Sequence, residues 1–252
     1  MHDIRYDAVH DEIIVPVPYA QAILAFRGGA DGQEAPIRVI QGPKTGTIGT
    51  RLDVDPIHNE IFTYQHNRVV VYPREGNGDV APIRVLEGPN TQLISPYGIG
   101  VDATNNLLIV GTNSNWGIKD PQQSTYVEGS DEPGAILIFN RTDQGNVKPR
   151  AVIRGPKSGV VRTMQIQVIP GRKLFGAVMP GVIDQMEPDG AFFGVWSEDD
   201  NGDVPPLFKI RTNERTKMKK PVGVVLDPKH KEVIISDMRN QGVLVYSAPE
   251  IF

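Results

Sequence analysis

Cysteine is absent from the 252 residues of this chain. Its absence excludes disulfides, thiol nucleophiles and cysteine-ligated metals, and it leaves the redox compartment open. Aromatic residues are also few, at 7%, but the hydrophobic fraction of 39% is far above that of chains that remain disordered. The composition therefore predicts a folded globular protein.

Long apolar runs and an excess of positive charge are absent as well. No stretch approaches the roughly 20 apolar residues that a membrane-spanning helix needs, so we expect no membrane insertion. The formal net charge is −4 with both signs interspersed, which argues against nucleic acid as a partner. No signal peptide is visible at the N-terminus, and we expect any export signal to have been removed.

What the sequence does contain is an internal repeat. A phrase of the form Gly-x-x-x-Pro-x-x-Val-x-x-Gly-Pro occurs three times, and a fourth, degenerate copy follows. These copies are Gly32–Thr45, Gly78–Thr91, Gly145–Ser158 and Gly202–Thr212. A second recurring phrase is a short apolar run that closes on an aromatic residue. The closing aromatics are Phe26, Tyr72, Phe139, Trp196 and Tyr246, spaced 46, 67, 57 and 50 residues apart.

Each repeat contains runs of four to six residues that are rich in Val and Ile and bounded by turn residues. The spacing matches the blades of a β-propeller, whose sheets stack face to face around an axis. We predict an all-β fold, a single β-propeller domain of five four-stranded blades. The predicted blades cover residues 1–42, 43–88, 89–155, 156–212 and 213–252. The last fourth strand is not evident, although Ser247–Phe252 could supply a short edge. An incomplete or truncated six-bladed propeller is therefore the alternative.

Three segments carry a family resemblance. Pro96–Asp102 and Pro221–Asp227 share a Pro-x-Gly-hydrophobic start, and Ile234–Tyr246 has a strand-Asp-x-x-Asn-strand pattern. These segments resemble the NHL-repeat and gluconolactonase-like β-propellers of bacteria, and the resemblance covers nearly the whole chain. It implies a propeller fold but several different functions, because that group includes lactonases and other enzymes as well as pure binding scaffolds.

Three of the five histidines, His10, His58 and His230, take the same place in three repeats. Imidazole is a common metal ligand, so a ring of histidines would be a candidate metal site. Each histidine, however, follows an aspartate by three residues in a turn, where Asp side chains commonly bond to the backbone. We therefore predict a structural role and no shared metal for these histidines and for the repeated aspartates. Those aspartates are Asp7, Asp55, Asp102 and Asp227.

Other repeated or acidic features are also expected to be structural. Arg38 and Arg84 alternate with apolar residues in the fourth strands and should pair with nearby acids. The acidic turn Asp199–Asp203 could attract calcium weakly, but it aligns with the ordinary hairpin of the other repeats. Motifs of serine hydrolases, zinc proteases, EF-hands and P-loops are absent from the sequence.

The resemblance to gluconolactonases implies one divalent cation, such as calcium, on the propeller axis. In that family, Glu, Asn and Asp side chains from different inner strands hold the ion. The predicted inner strands of this chain offer Asp53, Gln165 and Gln167, but no such set. We therefore predict no metal site and no cofactor, with an axial cation as the alternative.

Two second-to-third strand loops depart furthest from the repeat. This loop is minimal at His66-Asn67 in blade two, but it spans Asn113–Gly134 in blade three and Pro180–Gly190 in blade four. Long loops on a rigid scaffold commonly carry binding residues. The ligand-binding candidates in them are Trp116, Lys119, Tyr126, Glu128, Asp184 and Glu187.

Together these features predict a non-enzymatic propeller that binds a small molecule or a protein at its long-loop face. We expect it to be extracytoplasmic, either periplasmic or secreted, in a bacterium. The alternative is a metal-assisted hydrolase or lactonase of the gluconolactonase type.

Overall fold

The computed structural model of the chain describes residues 3–113, 134–181 and 190–252. Over these residues the regular structure consists of nineteen β-strands in five antiparallel sheets, together with three single-turn 3₁₀ helices. The sheets form the blades of a ring, which confirms the predicted five-bladed β-propeller. Within the same residues, no helix has the length and hydrophobicity that crossing a membrane would require.

The strands of each blade are hydrogen-bonded in chain order. Blade one consists of β1 (Arg5–Asp7), β2 (Glu12–Val17), β3 (Ala22–Arg27) and β4 (Arg38–Ile40). Blade two consists of β5 (Leu52–Asp55), β6 (Glu60–Gln65), β7 (Arg68–Pro73) and β8 (Arg84–Glu87). Blade three consists of β9 (Pro96–Asp102), β10 (Leu107–Thr112), β11 (Ile136–Asn140) and β12 (Ala151–Ile153).

Blade four consists of β13 (Gln165–Ile169), β14 (Leu174–Met179), β15 (Phe192–Ser197) and β16 (Phe208–Arg211). Blade five has only three strands in the described part of the chain, β17 (Pro221–Asp227), β18 (Glu232–Asp237) and β19 (Gly242–Ser247). The expected short edge strand after Ser247 is wrong, because Pro249–Ile251 forms a 3₁₀ turn instead. Proline lacks the N–H that pairing with β19 would use.

The first-to-second strand turns are closed by the repeated aspartates. Asp55 Oδ1 accepts hydrogen bonds from the backbone N–H groups of Ile57 and His58, and Asp55 Oδ2 lies 2.7 Å from Nδ1 of His58. Equivalent bonds join Asp7 to His10, Asp102 to Asn105 and Asp227 to His230. The structural role predicted for these residues is confirmed.

The Gly-Pro steps lead from one blade into the next. Gly42 has a φ of +152°, and a Cβ at this position would lie 2.4 Å from Oδ1 of Asp79. That carboxylate accepts hydrogen bonds from the N–H groups of Lys44 and Thr45. Glycine is therefore required where blade two closes over the connection from blade one. Asp203, in the acidic turn, makes the equivalent bonds to blade three, so this turn is structural.

Buried hydrophobic clusters fill the four interfaces between consecutive blades, from blade one to blade five. The closing aromatics Tyr72, Phe139 and Trp196 are fully buried in them, whereas Phe26 and Tyr246 are only half-buried. Among the described residues no such cluster lies between blades five and one. Tyr6 of blade one and Val225 of blade five are instead 61% and 56% exposed. The ring therefore has an open seam between its last and first blades.

Candidate functional site

Two positions in each blade lie at the propeller axis, two and four residues before the end of the first strand. The position nearer the long loops forms an upper layer, which consists of Asp3, Arg51, Gly98, Gln165 and Gly223. The other position forms a lower layer, which consists of Arg5, Asp53, Gly100, Gln167 and Val225. Each layer holds one acidic and one basic side chain, so the two layers are balanced in charge.

Asp3 is the centre of the upper layer and is 6% exposed. Its Oδ1 accepts hydrogen bonds from Nη1 of Arg5 at 3.2 Å and from Nε2 of Gln165 at 2.9 Å. Its Oδ2 accepts a hydrogen bond from the N–H of Leu52 at 3.1 Å, and Nη1 of Arg51 lies 3.9 Å from Oδ1. One buried carboxylate therefore joins blades one, two and four.

Arg5 crosses from the upper to the lower layer. Its Nε donates a hydrogen bond to Oδ1 of Asp53 at 2.9 Å, and the N–H of Val101 donates one to Oδ2 of Asp53 at 2.8 Å. Burial raises the pKa of Asp53, while the charge of Arg5 and the bond from Val101 oppose that rise. These contacts give the axis a network of buried ion pairs.

The divalent cation implied by the gluconolactonase resemblance does not fit this network. A guanidinium nitrogen of Arg5 lies 2.9 Å from the Asp53 carboxylate, so an ion placed there would meet a positive charge at contact distance. Gln165 is also fully used, because its Oε1 accepts the N–H of Val224 at 2.6 Å while its Nε2 binds Asp3. We therefore derive no chemical step through an axial cation.

A cavity of about 580 Å³ opens beside the upper layer. Its polar lining comes from Asp3, Arg51, Gln165 and Ser236, and its other side chains are mostly apolar. The apolar lining consists of Ile4, Tyr97, Met164, Val222, Val224, Val225, Ile234, Met238 and Val243. The volume and the mixture of a few polar groups with apolar walls are typical of sites that hold a small ligand or a partner's side chain.

The guanidinium of Arg51 forms one wall of this cavity. It lies 5.3 Å from the ring centroid of Tyr97 and donates a hydrogen bond to the carbonyl oxygen of Val222 at 3.3 Å. The arginine therefore spans from blade two to blade five while it stacks on an aromatic ring of blade three. Such a fixed cation suits an anionic or carbonyl group of a ligand.

Both long loops leave the scaffold beside this cavity. Asn113, the first residue of the blade-three loop, accepts a hydrogen bond from the N–H of Thr163 at 3.2 Å. Met164, which follows Thr163 in the chain, lines the cavity. Its backbone N–H donates a hydrogen bond to the carbonyl oxygen of Val178, just before the blade-four loop. The minimal loop of blade two is confirmed as a tight turn at His66-Asn67. The loop candidates Trp116, Lys119, Tyr126, Glu128, Asp184 and Glu187 lie outside the described residues.

On the opposite face, ion pairs tie neighbouring blades together. Glu12, at the start of β2, accepts hydrogen bonds from Arg38 of its own blade at 2.8 and 2.5 Å, as predicted for that arginine. It also binds Arg74 of blade two at 2.6 Å, and Arg74 lies 3.8 Å from Asp7. Burial would raise the pKa of Glu12, but the two arginines lower it below its usual value.

The same arrangement recurs one blade later. Glu60 binds Arg84 of its own blade, as predicted, and Arg141 of blade three. Arg141 also lies 3.4 Å from Asp55. Two consecutive interfaces therefore use one glutamate, one aspartate and two arginines each.

The third interface replaces this set with a carboxyl pair, which sequence reasoning missed. Glu198 takes the place of Arg74 and Arg141, is 2% exposed, and lies beside the Asp102 carboxyl, to which it donates a hydrogen bond when it is protonated. Burial, this hydrogen bond and the charge of Asp102 raise the pKa of Glu198 to about 8. Burial would raise the pKa of Asp102 too, but the bonds from Glu198 and Asn105 lower it. The signal was an acid in the repeat position that holds arginine in two other blades.

Comparisons with known proteins support the fold of this chain but no family and no function. No known protein-family pattern matches this chain, and no curated protein matches it in sequence. Among solved structures, a chain in the crystal structure of the mitotic checkpoint complex is similar, with a TM-score of 0.54 and 10% sequence identity. The similarity covers 97% of this chain and 73% of that chain. At this identity it supports a β-propeller fold, and it does not specifically support the NHL or gluconolactonase group.

Proposed function

We propose that this chain is a non-enzymatic binding propeller that recognises a protein or a small molecule at its long-loop face. The observation that carries the proposal is the cavity of about 580 Å³ that opens at the axis beside the roots of both long loops. A rigid floor with surrounding long loops is the usual construction of binding sites on repeat scaffolds.

The floor of the site favours a ligand with a polar group and an apolar part. Arg51 is held by its bond to Val222 and by its stacking on Tyr97, so it would bind without losing much side-chain freedom. Met164 and Val222 supply apolar surface beside it. In the loops, Trp116 and Tyr126 are our proposed aromatic anchors, and Lys119, Glu128, Asp184 and Glu187 our proposed polar contacts.

We do not extend the proposal to a metal-assisted hydrolase, because Arg5 already binds the axial carboxylates. The propeller's bacterial, extracytoplasmic location is also part of this proposal, and its support is the family resemblance alone. Fractionation of a bacterium that expresses the native gene would test it, and a purely cytoplasmic signal would contradict it.

Photo-crosslinking from defined positions tests the proposed binding face. A benzophenone amino acid placed at position 126, in a long loop, should crosslink one partner from the native host. The same probe at position 229, in a turn on the opposite face, serves as the matched control. Crosslinks of equal yield from both positions would contradict a dedicated face.

Replacement of the blade-three loop gives a quantitative test, in which the affinity for the crosslinked partner is measured. Residues 114–133 are replaced by a two-residue turn like that of His66-Asn67, which should leave the scaffold folded because loop length affects stability only weakly. Arg51→Met is a second variant, which removes the cation of the cavity floor together with its bond to Val222. Both should weaken binding of the crosslinked partner at least tenfold, while Lys229→Ala should not. Unchanged affinity in both variants, with normal thermal melting, would move the site elsewhere.

A further inference from the structure

The outer edge of blade five carries backbone groups that the other blades use for a fourth strand. In blade one, β4 pairs with β3 so that Ile40 lies opposite Ile23 and Arg38 lies opposite Ala25. The corresponding residues of β19 are Val243 and Val245, because Tyr246 takes the place of Phe26. In the described part of the chain nothing pairs with this edge. Such an edge is a template for an added strand.

The side chains along this edge are also exposed where their counterparts are buried. Val243 and Val245 are 65% and 54% exposed, whereas Ile23 and Ala25 are 1% and 5% exposed. The seam accounts for part of this exposure, and the missing fourth strand leaves the rest of the edge uncovered. An added isoleucine would pack beside Val243 as Ile40 packs beside Ile23.

The carboxylate of Glu232 indicates which kind of strand fits the edge of blade five. Glu232 begins β18 as Glu12 begins β2 and Glu60 begins β6. Those two glutamates each bind the arginine of their own fourth strand, Arg38 and Arg84. Across residues 3–113, 134–181 and 190–252, no arginine is paired with Glu232, which is half-buried. The carboxylate therefore stands at the place where a fourth-strand arginine would bind.

We propose that blade five receives its fourth strand from another protein, as an extended segment of the form Pro-x-Arg-Val-Ile. The segment would pair antiparallel with β19 and place its arginine on Glu232. A second copy of this chain cannot supply it without unfolding, because its own fourth strands, two of which have this arginine, are already paired in blades one to four. The proposed surface is the rim of blade five, which adjoins the cavity at Val243.

A peptide from this chain is the probe for the test. Residues 78–88, GDVAPIRVLEG, contain the fourth-strand phrase of blade two. A fluorescein-labelled copy is titrated with the intact protein, and fluorescence anisotropy reports binding. The control peptide carries alanine in place of the arginine, and the matched protein variant is Glu232→Gln. Since charge-assisted hydrogen bonds are involved, each change should weaken binding about tenfold to a hundredfold.

Charge reversal separates a specific strand from unspecific adhesion. A peptide with glutamate in place of arginine should bind the variant Glu232→Arg and not the wild type. Hydrogen exchange should slow in residues 242–247 when the peptide binds, and thermal melting should show that both variants fold. Absence of binding, or binding unaffected by either charge change, overturns the proposal. So does a concentration-dependent dimer in which β19 is already protected, because that outcome assigns the edge to a second copy.

Discussion

Glu198 should make the stability of this protein depend on pH near neutrality. Burial, followed by the hydrogen bond to Asp102 and the Asp102 charge, raises the pKa of Glu198 from 4.5 to about 8. Asp199 adds to this rise and Lys173 opposes it. The folded protein therefore holds this proton up to about pH 8, whereas the unfolded chain releases it near pH 4.5.

The sign and size of the effect follow from that difference. A group whose pKa is raised by folding contributes its full stabilisation below the unfolded pKa and loses it as the pH rises through the folded pKa. Between those values the free energy of unfolding should fall by about 1.4 kcal/mol per pH unit. From pH 5 to pH 8 the fall is roughly 4 kcal/mol, a large part of the roughly 5–15 kcal/mol typical of a folded protein.

Urea denaturation of wild type and Glu198→Gln between pH 5 and pH 9 measures this term. The glutamine amide can donate a hydrogen bond to Asp102 but has no proton to release, so the difference between the two proteins isolates Glu198. We expect that difference to change in favour of the variant up to about pH 8 and then to level off. Glu87→Gln is the control, because the Glu87 side chain is 55% exposed. A constant difference between wild type and Glu198→Gln at all pH values would refute the protonated-carboxyl interpretation.

Two further predictions concern the interfaces between blades. Phe139→Ala should destabilise the protein by roughly 3–5 kcal/mol, because the ring is fully buried. Phe26→Ala, at the same repeat position but half-buried at the seam, should cost clearly less in the same urea titration; equal losses would contradict an open seam. Arg141→Ala should cost about 1.5–3 kcal/mol at pH 7, since it removes the arginine that Asp55 and Glu60 share and leaves Glu60 with Arg84 alone. Because the pKa of Glu60 is lowered by its arginines, this penalty should shrink as the pH falls below 4.5, and a pH-independent penalty would count against the ion-pair explanation.

The repeat made most of the fold predictable from the sequence. The Asp-x-x-His turns and the closing aromatics are local patterns, so turn chemistry and repeat spacing are enough to predict them. The polar axis could have been predicted as well. Alignment of the first strands places Asp3 with Arg51, and Arg5 with Asp53, at equivalent positions of opposite charge.

The seam was less predictable because closure of a ring is a non-local property. Phe26 and Phe139 have the same local sequence environment, but only Phe139 has a following and a preceding blade packed against its sheet. No pattern within blade one states whether blade five will cover its outer face. The same reason limits the site, since its predicted residues lie in loops whose sequence follows no repeat.

Variation among the interfaces disfavours the packing of one blade against the wrong neighbour. The first two interfaces are ionic, the third uses the Glu198–Asp102 pair, and the fourth is apolar at Ile169, Leu174 and Ala248. Exchange of two blades would bury an unpaired charge, which disfavours misassembly. Blade five again has an aspartate and a glutamate, Asp227 and Glu232, at the positions that form the ionic interfaces. These two carboxylates would require an arginine from the following blade. Blade one has Gly28 at that position, where even a Cβ would lie 1.9 Å from Asp11. The two faces of the seam are therefore not complementary in charge, which is consistent with a ring that its own five blades leave open.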